Sequence, residues 1–346
     1  MSLLRALIGA VRPARPTPRF AAGLVPDDDV LLDAPDERLA PALVAAALAD
    51  PEPAAKLLAT TRDAAEWEDR DRYVTRFATF AYHRGDWLAH WLEAAPDDPD
   101  ALLVSAQLAV RRAWESPARA ERLRELGPLV HTVTEAAPHD PVPWRLALDH
   151  ARGAHAGHTV FEALWEQAVR RSPHHYGSHV AALKYLSAQW YGSHRAAFDF
   201  AEQAADDAAP DSLVRALPAR AAYDRLRALP RPDRSAAATR LDGAADRALA
   251  LSAAFPAGDP WPAEVRNLLA YVLVERARWD EALDEFHRIG AHATSFPWGA
   301  PRGAVQEDPL LRFLAVRDLV RSESAGRRRL WRPGYGRAGR GGPCGH

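Results

Sequence analysis

Proline closes one helix-like segment after another along this chain, and the spacing of those closures limits how the rest can be organised. Helical patterning stops at Pro96, Pro138, Pro173, Pro210 and Pro256, at intervals of 42, 35, 37 and 46 residues. Proline costs about 3 kcal/mol inside a helix but is tolerated in the first turn or beyond the end. The recurrence therefore marks boundaries between units, and periods of about 34–47 residues belong to two-helix solenoid units.

Each unit divides in the same way. First helices are expected over about 99–115, 141–153, 176–190, 211–228 and 261–277, and second helices over about 118–136, 157–171, 194–208, 235–252 and 280–290. Helices over about 38–49, 52–62, 64–83 and 87–95 begin the array, and one near 308–323 caps it. A lone hairpin cannot bury its apolar stripe, so each must lean on the next. No sustained alternation of β-branched residues and no Asn-Gly or Asp-Gly hairpin turn argues for strands. The expected fold is all-α: an α-solenoid of stacked antiparallel helix pairs over 36–323, extended or gently curved, with one concave surface. A proline-rich extended lead-in (1–35) precedes it and a disordered Arg/Gly-rich tail (324–346) follows.

Composition narrows the function classes. Of 346 residues, 48% are hydrophobic and 26% charged, enough apolar surface for a core. Lys and Arg number 44 against 46 Asp and Glu, which excludes a whole-chain polycation. Only Lys56 and Lys184 are lysines, so the basic residues are almost all arginine, as high-GC bacterial coding produces. No apolar run approaches the ~20 residues that cross a bilayer, and the N-terminal apolar stretch is broken by Arg5. A cytoplasmic location without membrane association is the default expectation. The one cysteine, Cys344, excludes intramolecular disulfides and multi-cysteine metal sites.

Two stretches carry resemblances. Leu269, Ala270, Leu273, Ala277, Trp279, Ala282 and Phe286 fall where a tetratricopeptide repeat places its apolar and small residues, with Ala270 and Ala282 letting helices approach. Asp280-Glu281-Ala282-Leu283 resembles that motif's second-helix start, with acids suited to a first turn. The middle of the chain, about 85–225, resembles a bacterial helical-repeat family recognised by a Trp-Gly-Gly-Ser turn. Here that turn is Trp190-Tyr191-Gly192-Ser193-His194, followed by Phe198-Asp199-Phe200-Ala201, with Tyr191 and Gln189 replacing the usual glycine and lysine. The resemblance implies a helical-repeat fold and brings no activity with it.

Candidate sites follow from residue type. His175 and His179, four apart, share a helix face as zinc-binding pairs do, but no HExxH is present. They are candidates for partner contact or a metal, and equally for polar residues opening a helix. In the turn, Trp190 is expected to close the stripe Tyr176, Val180, Leu183, Ser187; Gly192 to permit a tight reversal with positive φ; and Ser193 to N-cap the next helix. His194, Phe198 and Phe200 complete this mainly structural motif. The tryptophans at 87, 91, 114, 144 and 165 read as knobs between helices or as a groove lining. The tail carries Arg327, Arg328, Arg329, Arg332, Arg337 and Arg340 without an acid, interleaved with Trp331 and Tyr335, a composition suited to nucleic acid. No phosphate-binding Gly-x-x-x-x-Gly-Lys and no Gly-x-Ser-x-Gly elbow occurs, so no catalytic residue, cofactor or metal is assigned. The expected function is recognition of a protein or peptide on the concave surface, not catalysis. The alternatives are nucleic-acid association through the tail, or an enzyme or metal-binding protein using the His175/His179 region.

Overall fold

A computed structural model describes residues 23–228, 238–299 and 308–330, the last four of these by backbone alone. The protein is all-helical. In chain order the helices are α1 (Leu39–Ala47), α2 (Glu52–Asp63), α3 (Trp67–His83), α4 (Asp86–Ala94), α5 (Pro99–Glu115), α6 (Arg119–Glu125), α7 (Gly127–Ala136) and α8 (Val142–Ala154). They continue as α9 (His158–Arg171), α10 (Tyr176–Tyr185), α11 (His194–Asp207), α12 (Leu217–Ala228), α13 (Ala238–Ala253), α14 (Ala263–Glu275), α15 (Trp279–Ile289), α16 (Ser295–Trp298) and α17 (Pro309–Leu330). No described helix is long and apolar enough to cross a membrane.

All five boundary prolines lie in the loops that separate one helix pair from the next. The residues after them start helices by capping. Asp98 accepts the amides of Asp100 and Ala101 ahead of α5, with Pro99 in the first turn where its missing N–H goes unneeded. Asp140 accepts Val142 N at the head of α8. In the last pair, Ala270 and Ala282 are fully buried, and α14 packs along α15. Three helices are shorter than their patterns suggest. The segment 118–136 breaks at Leu126-Gly127-Pro128, where the proline removes an N–H, α10 ends at Tyr185, with residues 186–193 forming a turn, and α12 begins at Leu217 after a 3-10 turn over Leu213–Ala216.

Packing between pairs is apolar in bulk but pinned by buried guanidinium groups. The Arg70 side chain of α3 donates to Asp140 Oδ2 at 2.5 Å, Asp100 Oδ1 at 2.6 Å and the Leu58 carbonyl at 2.8 Å, with essentially no solvent contact. One residue thus ties α2, α3 and the starts of α5 and α8. Arg266 of α14 is also fully buried. It donates to the Ser252 and Phe255 carbonyls at 3.0 and 2.9 Å and to the Arg288 carbonyl at 3.0 Å, satisfying helix-end acceptors of α13 and α15.

The ends of the array meet. β1 (Leu31–Leu32) pairs in parallel with β2 (His292–Ala293), Leu31 opposite His292 and Leu32 opposite Ala293. Asp33 accepts Ser295 N at 3.0 Å and the Ser295 hydroxyl, and its own carbonyl accepts the Arg76 guanidinium. Arg317 of α17 donates to the Val25 carbonyl at 3.0 Å and to Asp27. Asn267 holds the β2 side, donating to the His292 carbonyl at 2.9 Å and accepting Trp298 Nε1 at 2.8 Å. The extended, open array expected from the helical pattern is therefore corrected. The last part of the lead-in is the clasp that joins the first helices to the last, and α17 runs on to Leu330, past the tail boundary expected at 324.

Replacing Arg70 with Met leaves Asp140 buried without its cation and Asp100 with Arg62 alone, and about 3–5 kcal/mol of stability is expected to be lost. Urea denaturation measures this. A loss under about 1 kcal/mol would mean that Arg62, which also reaches Asp100 at 2.5 Å, and the helix amides satisfy both carboxylates unaided.

Candidate functional site

Residues four apart on a helix share a face, and α3, α5, α8 and α10 turn charged rows of this kind inward. Glu68, Arg72 and Arg76 line up on α3, Gln107 and Arg111 on α5, Arg145 and Asp149 on α8, and Val180 and Lys184 on α10. Arg220 of α12 and Glu264 of α14 join them, and the clasp segments around Asp33 and Ser295 line one side of the space. The result is a cavity of about 610 Å³, within the range of small-molecule sites.

Part of its charge is internally compensated. Arg145 binds the Asp71 carboxylate and donates to Gln107 Oε1 at 2.8 Å, with Asp149 at 3.7 Å. Arg220 pairs with Glu264 at 2.6 Å and lies 4.2 Å from the Phe296 ring centre. Arg72 lies over the Trp261 indole at 4.7 Å and donates to its carbonyl at 3.0 Å, bridging two parts of the wall far apart in sequence.

Burial sets the proton occupancy of the remainder. It pushes the Glu68 carboxyl up to about 8, overriding the hydrogen bond that carboxyl accepts from Tyr176 N at 2.6 Å. Burial also brings the Lys184 ammonium down to about 8, against the pull of Asp149. For Asp149 burial acts upward, but Lys184, Arg152 and Arg145 together outweigh it and hold that carboxyl at about 2. Near neutrality Glu68 is thus neutral, while Lys184 and Asp149 are charged.

The two histidines singled out in the sequence sit behind this wall. His175 is buried, its Nδ1 2.8 Å from Ser178 Oγ and its Nε2 3.5 Å from Asp71 Oδ2, and burial pulls it down to about 4 despite Asp71. Ser178, His175 and Asp71 share the composition of a hydrolytic triad, but Ser178 has no exposed surface, and the trio braces Asp71 over Gly177. His179 donates from Nδ1 to the His175 carbonyl at 3.0 Å and packs against Trp165 and Phe200. No set of three His, Cys, Asp or Glu side chains gathers among the described residues.

The aromatic turn is a packing device. Trp190 leaves the α10 stripe and meets Trp114 edge-on at 5.5 Å, with the Arg119 and Arg152 guanidinium groups 5.4 and 4.7 Å from its ring centre. Gly192 is needed because a Cβ there would overlap the Leu186 carbonyl, rather than for a positive φ. Ser193 N-caps α11 through Ala196 N at 3.1 Å. His194 is half-buried at the start of α11, Phe198 belongs to the core and Phe200 packs on Trp165. Trp87 and Trp91 are core residues. Trp331, Arg332, Arg337 and Arg340, and the side chains of Arg327, Arg328 and Arg329, lie outside the described residues.

The cavity residues went unnoticed in the sequence because charges at i and i+4 read equally well as a solvated helix face. One signal was available: Lys184, one of two lysines in a chain that otherwise uses arginine, lies in the wall. No protein-family model, curated protein or solved structure matches this chain.

Glu68 carries a proton in the folded chain that the unfolded chain, with its ordinary value of 4.5, has released by neutral pH. Wild-type stability should therefore fall relative to Glu68→Gln as pH rises from about 4.5 to about 8, and no further above it. His175 has the opposite sign, with stability rising between about 4 and 6.5, and it acts equally on both proteins. Urea melts at a series of pH values check this. A constant gap between the two proteins would show that Glu68 is already ionised at neutral pH.

Proposed function

We propose that this chain is a tetratricopeptide-like helical-repeat binding protein whose ligand is a small polar molecule held inside the closed array. Support for the repeat reading comes from the boundary prolines, from the buried Ala270 and Ala282 of the last pair, and from the inward rows on the first helix of successive pairs. The single observation that carries the binding reading is the cavity of about 610 Å³ whose wall draws charged side chains from α3, α5, α8, α10, α12 and α14. Arg145 is buried and paired, and the partly exposed cations beside it are available to a polar partner. The clasp between β1 and β2 narrows the space at one side, which favours a compact molecule over a long peptide.

Thermal melting across a library of small polar compounds tests this. A true ligand at about 100 times its Kd adds about 2.7 kcal/mol of stability. Thr75 is exposed on the cavity side of α3, so Thr75→Trp fills the space without disturbing the core and should abolish the shift. The reading fails if no compound raises the melting temperature. It fails equally if a protein partner binds the wild-type chain and Thr75→Trp alike.

A further inference from the structure

We propose that the molecule bound in this cavity is a small organic anion carrying a phosphate or at least two carboxylates, held by Arg72, Arg76, Arg111 and Lys184. The inference rests on the cavity being the binding site, and it names what the site selects.

The cations of the wall fall into two groups. Arg145 and Arg220 are committed to close carboxylate partners, Asp71 and Glu264. Of the other four, Arg72 and Lys184 make no ion pair among the described residues, and Arg76 and Arg111 each have one looser carboxylate neighbour beside a neutral acceptor. Arg72 makes no ion pair among the described residues and is oriented by the Trp261 carbonyl and indole. Arg76 donates to the Asp33 carbonyl, and the Asp33 carboxylate, 3.8 Å away, is already bonded to Ser295. Arg111 donates to Thr79 Oγ1 at 2.5 Å, with Glu115 at 3.5 Å on its own helix. Lys184 makes no ion pair among the described residues; Asp149, its main electrostatic neighbour, is hydrogen-bonded by Arg152 at 2.8 Å and attracted by both. Neutral acceptors orient a guanidinium without cancelling its charge, which is how a site keeps donors ready for an incoming oxyanion.

The wall's six cations face six acids: Asp71, Asp149 and Glu264 are paired with cations, Asp33 lies beside Arg76 and bonds Ser295, Asp36 accepts Leu39 N at 2.8 Å and the Tyr73 hydroxyl, and burial favours the neutral form of Glu68. Arg72 and Arg76 stand one turn apart on α3 with the hydroxyls of Thr75 and Thr79 on the same face, and Arg111 reaches Thr79 from α5. Three guanidinium groups and the Thr75 hydroxyl form a donor set for one doubly charged group, the Thr79 hydroxyl already donating to the Thr75 carbonyl at 2.8 Å, and Lys184 on α10 supplies a compact ammonium for a second acidic group.

Calorimetric titration of the full chain at low salt with pyrophosphate, citrate, glucose and spermidine tests the inference. Pyrophosphate or citrate should bind, with at least a tenfold loss in Arg72→Gln, Arg111→Gln and Lys184→Met and no binding to Thr75→Trp. Tighter binding of pyrophosphate assigns a phosphate ligand, and tighter binding of citrate a polycarboxylate. Replacing Arg332, Arg337 and Arg340 together with Gln should leave the affinity unchanged. Loss of binding in that variant, with the cavity variants unaffected, overturns the inference. Binding of glucose or spermidine alone, sensitive to Thr75→Trp, overturns the anion and leaves the cavity reading standing. Binding of none of the four, with no compound of any charge shifting the melting temperature, removes both.

Discussion

The guanidinium of Arg70 sets the register on which the cavity depends. It binds two carboxylates at the starts of α5 and α8 from a position on α3, so these three helices share one buried charge centre. They also carry Arg72, Arg76, Arg111, Arg145 and Asp149 on their inward faces. A slip of one residue on any of them would rotate those side chains by about 100° and break the buried bonds at the same time. Burying a cation between two acids is weak evidence for stability in itself, because desolvation consumes much of the attraction. Its value here is geometric, since few other arrangements satisfy all three groups.

Much of the fold was legible because helices announce themselves locally. Proline stops, aspartate caps and the 3.6-residue stripe act over a few residues, and the segments they mark between Asp36 and Ile289 match the helices of the structure to within a few positions. The misses have local causes too: Pro128 splits one expected helix, and the turn around Gly192 shortens another. What could not be read was anything joining distant segments. The β1–β2 pairing is two residues long and has no period to detect. Asp33 and Ser295 are unremarkable as sequence, and their contact spans 262 positions. The cavity depends on that contact, so its residues stayed hidden among ordinary surface charges. Lys184 was the exception visible in composition alone.

Within the cavity, one physical effect moves two groups in opposite senses. Withdrawal from water disfavours charge of either sign, so Glu68 gives up its negative charge and Lys184 binds its proton less firmly. Asp149 escapes because Lys184, Arg152 and Arg145 surround it. The wall thus holds close ion pairs, an acid that burial pushes toward its neutral form, and guanidinium groups that also donate to neutral acceptors. His175, just ahead of α10, and His179 on it support this wall from behind.

The clasp also has a consequence for synthesis. Ribosomes deliver the inward-facing charged helices long before they deliver Ser295, the residue that Asp33 must wait for. The first helices emerge with a core of their own, between Leu39 and Ala154, while the wall from Pro260 to Phe296 arrives last. Long-range closure of this kind is slow compared with hairpin formation. A chain truncated before β2 would keep that core and lose the side of the cavity around Ser295.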